Sequence, residues 1–97
     1  MTVITERRGH VFLIGVNRPE KRNAFNLEVI DGFSRAYEEL GNDPDLRVGV
    51  VYAVGDHFSA GLDLAEVGAK VAEVGPGALA GSYQFDPWGM WAPPVPK

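Results

Sequence analysis

The sequence predicts an α/β protein with an incomplete sheet and a carboxyl-terminal tail rich in glycine and proline. Residues 3–6 and 11–16 have strand character, residues 27–40 carry a helical repeat, and residues 48–54 form a further apolar run. A helix between two strands is the connection that a parallel pair requires. We therefore assign residues 1–74 to one layered unit and residues 75–97 to a Gly/Pro/aromatic loop or disordered tail.

The chain opens with a predicted β-hairpin. Residues 3–6 and 11–16 are rich in β-branched side chains, and the polar turn between them contains Gly9, which tolerates positive φ. Pro19 lacks a backbone donor and biases Arg18 away from helix. A polar loop at residues 17–22 should therefore end the second strand.

The predicted helix has signals at both ends. Asn26 is a suitable cap, and Gly41 and Asn42 predict a left-handed stop after Leu40. The apolar residues recur every three or four positions, as one helix face requires. They are Leu27, Ile30, Phe33, Tyr37 and Leu40.

The third strand and the turn after it carry the next signals. Residues 48–54 are apolar on both faces, which predicts a buried parallel strand. Small residues then mark a turn that leads into a short helix through Glu66 and Val67. Phe85, Trp88 and Trp91 in the tail are expected to pack against further structure, because exposed aromatic clusters are costly.

Composition excludes several classes of function. The net charge is -4 and the nine basic residues are scattered, so nucleic acid is a poor partner. No apolar run approaches the roughly 20 residues that cross a bilayer. The chain has no cysteine, and its two histidines lack spaced partners, so no metal site or catalytic triad is expected. A cytoplasmic protein is the default expectation.

Two segments carry a family resemblance. Residues 17–26 read NRPEKRNAFN, and residues 55–64 read GDHFSAGLDL directly after the buried strand. In this order and context they resemble the opening motifs of the enoyl-CoA hydratase/isomerase (crotonase) family. The likeness extends over residues 2 to 67 and implies the amino-terminal portion of a crotonase-like ββα spiral fold.

The resemblance implies chemistry at the second motif. Family members bind an acyl-CoA and stabilise an enolate-like thioester oxygen with two backbone amides. The Leu62 amide would be the first of them, since Ala60 and Gly61 let the thioester approach the backbone. The alternative is that Ala60 and Gly61 merely form a tight turn into the helix.

The family resemblance also implies contacts with coenzyme A. Ala65 stands where many relatives have a lysine, so Lys21, Arg22 or a residue from another subunit could supply this phosphate contact. A solvated charged loop explains Lys21 and Arg22 equally well, and Asp63 is equally well explained as a helix cap. The implied substrate-binding residues are Lys21, Arg22, Ala24, Ala60, Gly61, Leu62, Asp63 and Leu64.

The implied protein is a lyase or isomerase of fatty-acid or related acyl metabolism. Coenzyme A enters as part of the substrate, with no tightly bound cofactor, and the family assembles as homo-oligomers, trimers or hexamers. The second amide and two catalytic glutamates are expected beyond residue 97, so the chain alone should be inactive. The alternative is a noncatalytic fragment that self-associates or depends on a partner.

Overall fold

The computed structural model describes residues 1–75 and 95–97. Its elements confirm the predicted α/β class with an incomplete sheet. In chain order they are β1 (Val3–Arg8), β2 (Val11–Val16), a 3₁₀ turn (Pro19–Lys21), α1 (Leu27–Asn42), β3 (Val48–Ala53) and α2 (Leu64–Val74).

The three strands form one sheet in the order β1-β2-β3. β1 and β2 are antiparallel, from the pair Val3–Val16 to the pair Arg8–Val11, and β2 and β3 are parallel. The hairpin and the parallel pairing are therefore confirmed. β1 is two residues longer than predicted, because Arg7 and Arg8 pair with β2 and leave a turn at Gly9, where φ is +61°.

The core lies between α1 and one face of the sheet. Alternate residues of β2 point to this face, as the period of a strand requires. They pack against the apolar face of α1, and Leu46, which follows the helix in sequence, is buried in the same cluster. The buried cluster comprises Val3, Phe12, Ile14, Val16, Val29, Phe33, Ala36, Leu40 and Leu46.

The two ends of α1 differ in how well the sequence predicts them. The Asn26 cap is confirmed, since its side chain accepts from the Val29 amide at 2.9 Å. The left-handed stop after Leu40 is wrong, because the helix continues to Asn42. The Lys97 ammonium donates to the Leu40 carbonyl at 2.7 Å, so a cation satisfies this helix end in place of a left-handed glycine.

β3 is parallel as predicted but is not buried on both faces. Val48 and Val50 are each 44% exposed. The register places them opposite Val11 and Leu13, on the face of the sheet away from α1. Among the described residues α1 covers only the other face, so the apolar run was a misleading sign of full burial.

α2 is longer than the predicted short helix and runs to Val74. Of its residues only Val67 is buried. The division at residue 74 and the loop-like tail stay predictions, because residues 76–94 lie outside the described residues. Neither described helix is long and apolar enough to cross a membrane.

Candidate functional site

The first motif turns sharply just after the 3₁₀ turn. Arg22 and Asn23 both have left-handed backbones, with φ of 52° and 56°. Asparagine is one of the few residues with a side chain that adopt this conformation readily. The Asn23 side chain is thereby directed inward, and the residue is fully buried.

Both the oxygen and the nitrogen of the buried Asn23 carboxamide form hydrogen bonds. Its Oδ1 accepts from the Arg18 amide at 2.7 Å. Its Nδ2 donates to the Val54 carbonyl at 2.9 Å and to the His57 carbonyl at 2.6 Å. One side chain therefore joins the first motif to the end of β3 and to the beginning of the second motif.

The backbones of the two motifs then run side by side. The Ala60 amide donates to the Arg22 carbonyl at 3.0 Å, and the Phe25 amide donates to the Gly61 carbonyl at 2.7 Å. The Asp63 amide donates to the Phe25 carbonyl at 2.8 Å. Phe25 and Leu62 thus form an isolated parallel bridge.

The Leu62 amide differs from its neighbours. Ala60 and Asp63 donate to the carbonyls of the first motif, and Gly61 donates to the Ser59 hydroxyl at 3.0 Å. In a parallel bridge Phe25 bonds to the residues on either side of Leu62, so the Leu62 amide points away from Phe25. Within residues 1–75 and 95–97 it meets no hydrogen-bond acceptor.

Gly61 makes this orientation possible. Its φ is +94°, a conformation that side chains rarely allow, and a Cβ at this position would meet no atom within 4 Å. The backbone conformation therefore explains the need for glycine here, whereas crowding does not. The side chain of Leu62, the next residue, is 40% exposed.

An ion pair fastens the start of α2 to the first motif. Arg18 Nη1 donates to Asp63 Oδ2 at 3.0 Å and to the Ala24 carbonyl at 2.9 Å. The two side chains are only 11% and 19% exposed. Asp63 also caps α2 by accepting from the Glu66 amide at 3.4 Å, so the predicted cap is present. The Arg18 guanidinium, followed by the helix amides, lowers the pKa of the Asp63 carboxyl against an opposing effect of desolvation.

The structure brings the residues predicted to bind substrate into these two paired segments. Lys21 is exposed directly before the left-handed turn, Arg22 is exposed within it, and Leu64 is 75% exposed in the first turn of α2. The sequence assigned no role to Arg18 or Asn23. Only the structure identifies their roles, because neither the burial of Asn23 nor the distant partner of Arg18 is visible in sequence spacing.

Other parts of the described chain contain fewer features that suggest a function. A cavity of ≈ 230 Å³ lies between α1 and β3 and shares no residue with the paired motifs. Its lining is mainly apolar and consists of Ile14, Tyr37, Leu40, Gly49, Val51, Val95 and Lys97. Within residues 1–75 and 95–97, no three His, Asp or Glu side chains group as a metal ion would require.

Comparison with known proteins identifies the family. The family model described as enoyl-CoA hydratase/isomerase matches residues 6–85, which include both motifs and every strand after the first residues of β1. This chain belongs to the enoyl-CoA hydratase/isomerase family. The resemblance carried by the two motifs is therefore confirmed.

Individual members of this family match the same part of the chain. Enoyl-CoA hydratase EchA19 of Mycobacterium tuberculosis is 39% identical over 61 residues, which are 63% of this chain and 23% of that protein. The mitochondrial Delta(3,5)-Delta(2,4)-dienoyl-CoA isomerase of Mus musculus is 31% identical over 70 residues, 72% of this chain and 21% of that protein. The chain thus spans less than a quarter of either relative.

A solved structure confirms the crotonase-like fold. The probable enoyl-CoA hydratase/isomerase from Mycobacterium abscessus superimposes with a TM-score of 0.87 at 37% identity. The match covers 98% of this chain and 36% of that one. The chain therefore corresponds to little more than a third of this relative.

Proposed function

We propose that the chain binds an acyl-CoA and donates the Leu62 amide to the thioester oxygen, as one half of the oxyanion hole of an enoyl-CoA hydratase/isomerase. One observation carries the proposal. Of the four consecutive amides from Ala60 to Asp63, only that of Leu62 lacks an acceptor among the described residues. A backbone donor held in place by bonded neighbours is what stabilisation of a developing oxyanion requires.

The surroundings of this amide suit a CoA thioester. Phe58, Leu62 and Leu64 present exposed apolar side chains, 60%, 40% and 75% accessible, which can cover the acyl and pantetheine parts. Lys21 and Arg22 are exposed basic groups next to the paired motifs and are the proposed phosphate contacts. Ala24, Ala60, Gly61 and Asp63 are proposed to line the path of the coenzyme beside these groups.

The mechanism needs little rearrangement of the protein. As the thioester becomes enolate-like, negative charge grows on its oxygen, and a fixed N–H stabilises that charge without first reorienting. In other enzymes the loss of one such donor lowers the rate by ~100- to 1000-fold. The second amide and the glutamates that act on water are proposed to come from beyond residue 97, so these 97 residues alone bind substrate without turning it over.

Further properties follow from the family and are part of the proposal. Coenzyme A enters and leaves with the substrate, and no other cofactor is required. The complete enzyme acts in the cytoplasm on acyl chains of fatty-acid or related metabolism. It assembles as a homo-oligomer, a trimer or a hexamer.

The test is a nuclear magnetic resonance titration of the ¹⁵N-labelled chain with crotonyl-CoA, and with coenzyme A alone as the control. We expect the Leu62 amide proton to move downfield with crotonyl-CoA, because only the thioester supplies an acceptor for it. Coenzyme A alone should move the resonances of Lys21 and Arg22 without a comparable downfield movement of the Leu62 amide proton, because it lacks the thioester carbonyl. A Leu62 resonance unchanged at saturating crotonyl-CoA would contradict the proposal.

A second candidate is a noncatalytic piece that associates with a second copy of itself. The observation in its favour is the apolar outer face of β3, where Val48 and Val50 are each 44% exposed. β3 also pairs on one side only among the described residues, and an open strand edge invites pairing. Light scattering tests this candidate: a Val50→Lys variant should dissociate such a dimer, and a monomeric parent chain would exclude it.

A further inference from the structure

We propose that Asn23 is a positioning residue for the Leu62 amide. It acts through the backbone of the second motif and does not itself touch the substrate. The inference rests on the proposed function of Leu62 and adds a group that anchors the turn carrying this donor. It is argued from the hydrogen bonds of Asn23, from its burial and from its backbone conformation.

The Asn23 side chain holds the second motif at its beginning. Its Nδ2 group uses both hydrogens, one on the Val54 carbonyl at 2.9 Å and one on the His57 carbonyl at 2.6 Å. These carbonyls lie on either side of Gly55, where φ is +91° and the chain leaves β3. Two bonds from one buried group therefore fix where the turn starts and how it is directed.

The Asn23 backbone holds the same turn nearer to Leu62. The Asn23 carbonyl accepts from the Ser59 hydroxyl at 2.9 Å, and the Ser59 oxygen accepts from the Gly61 amide at 3.0 Å. This relay ends at the residue directly before Leu62. The Gly61 amide belongs to the peptide directly before the one that carries the Leu62 N–H, and this next peptide is held by its Gly61 carbonyl, which accepts from the Phe25 amide at 2.7 Å. Asn23 therefore anchors the turn up to Gly61, from which the Leu62 donor projects.

The position requires asparagine for two separate reasons. A left-handed backbone with φ of 56° favours Gly, Asn or Asp. The two facing carbonyls of Val54 and His57 require a side chain with two N–H donors, which Asp and Gly lack. Asn23→Asp therefore keeps size and backbone preference but sets a carboxylate against two carbonyl oxygens.

The burial of Asn23 makes its replacement by aspartate costly. Asn23 has no exposed surface, so water cannot replace the lost donors. Asn26→Asp is the matched control, because Asn26 uses its side-chain oxygen to accept from the Val29 amide, and an aspartate keeps that acceptor. Both variants lose the same amide group, but only the first loses donors that hold the second motif.

The experiment has a ligand-free part and a ligand part. In the ligand-free chain we expect hydrogen exchange at the Ala60 and Gly61 amides to accelerate about tenfold or more in Asn23→Asp, with the β1 and β2 amides unchanged. With crotonyl-CoA, the downfield movement of the Leu62 amide should fall to less than half of that in the parent chain. The responses of Lys21 and Arg22 should remain, and Asn26→Asp should match the parent in both parts.

The outcomes separate the two proposals. A parent chain without any Leu62 response contradicts the function proposed for Leu62, and the exchange of Ala60 and Gly61 still decides whether Asn23 positions the turn. A full Leu62 response in folded Asn23→Asp overturns the role of Asn23 alone. If Asn23→Asp does not fold, the same two measurements are made on Asn23→Gly, since glycine keeps the left-handed backbone and the carbonyl that binds Ser59. A full Leu62 response in folded Asn23→Gly then overturns the role of Asn23. If neither variant folds, the proposal is overturned, because Asn23 then serves the whole fold.

Discussion

Replacing Gly32 by alanine tests how closely α1 packs against β1. A Cβ at Gly32 would lie 2.6 Å from Val3 Cγ2 and 2.8 Å from Val3 Cβ. Val3 is β-branched and paired in β1, so its side chain cannot easily rotate away. Alanine gains about 1 kcal/mol of helix propensity, whereas overpacking costs about 1–3 kcal/mol. We therefore expect Gly32→Ala to lower the free energy of unfolding by about 0–2 kcal/mol.

Gly68 provides the matched control in α2. A Cβ at Gly68 would meet no atom within 4 Å, so alanine there should gain only helix propensity. Gly68→Ala should raise the stability of α2 by about 0.5–1 kcal/mol. Urea unfolding followed by circular dichroism measures both variants. Equal stabilisation by the two substitutions would refute the close approach of α1 to β1.

Three further predictions concern the cap, the ion pair and catalysis. Asn26→Ala should cost about 1 kcal/mol in urea unfolding, because the Val29 amide loses its acceptor, while Asn26→Asp should cost little. Because Arg18 lowers the pKa of Asp63, the pair stabilises the fold above the unfolded pKa of about 4 and loses this effect as the pH falls through the folded pKa. The free energy of unfolding should therefore fall less steeply with decreasing pH in Asp63→Asn than in the parent chain, and equal slopes would contradict this. The purified 97-residue chain should not hydrate crotonyl-CoA, and measurable loss of enoyl absorbance would contradict the proposal that the second amide and the glutamates come from beyond residue 97.

The fold was predictable where signals within a few residues determine it. β2 and the start of α1 match the prediction, because a run of β-branched and apolar residues beside a glycine turn and a capping residue are local signals. The end of α1 was not predictable, since the Lys97 ammonium that reaches the Leu40 carbonyl comes from far along the chain. The burial of β3 was overestimated for a similar reason: an apolar strand does not reveal whether its second face has a covering layer.

The turn of the candidate site was predictable from the sequence, but the contacts that hold this turn were not. Ala60 and Gly61 are small residues at a turn, which suggests a close approach to the backbone from sequence alone. The roles of Asn23 and Arg18 depend on partners 31 and 45 positions away in the sequence. Such pairings follow from the parallel bridge between the motifs, and no spacing rule predicts them.

The most direct test of the account uses crotonyl-CoA labelled with ¹³C at the thioester carbonyl. A hydrogen bond from the Leu62 amide polarises this carbonyl, so its resonance should move downfield on binding to the parent chain. Leu62→Ala retains the amide and should give the same movement, whereas Leu62→Pro lacks the N–H and should leave bound crotonyl-CoA at its free position. An equal downfield movement with Leu62→Pro would contradict the assignment of this amide to the thioester oxygen.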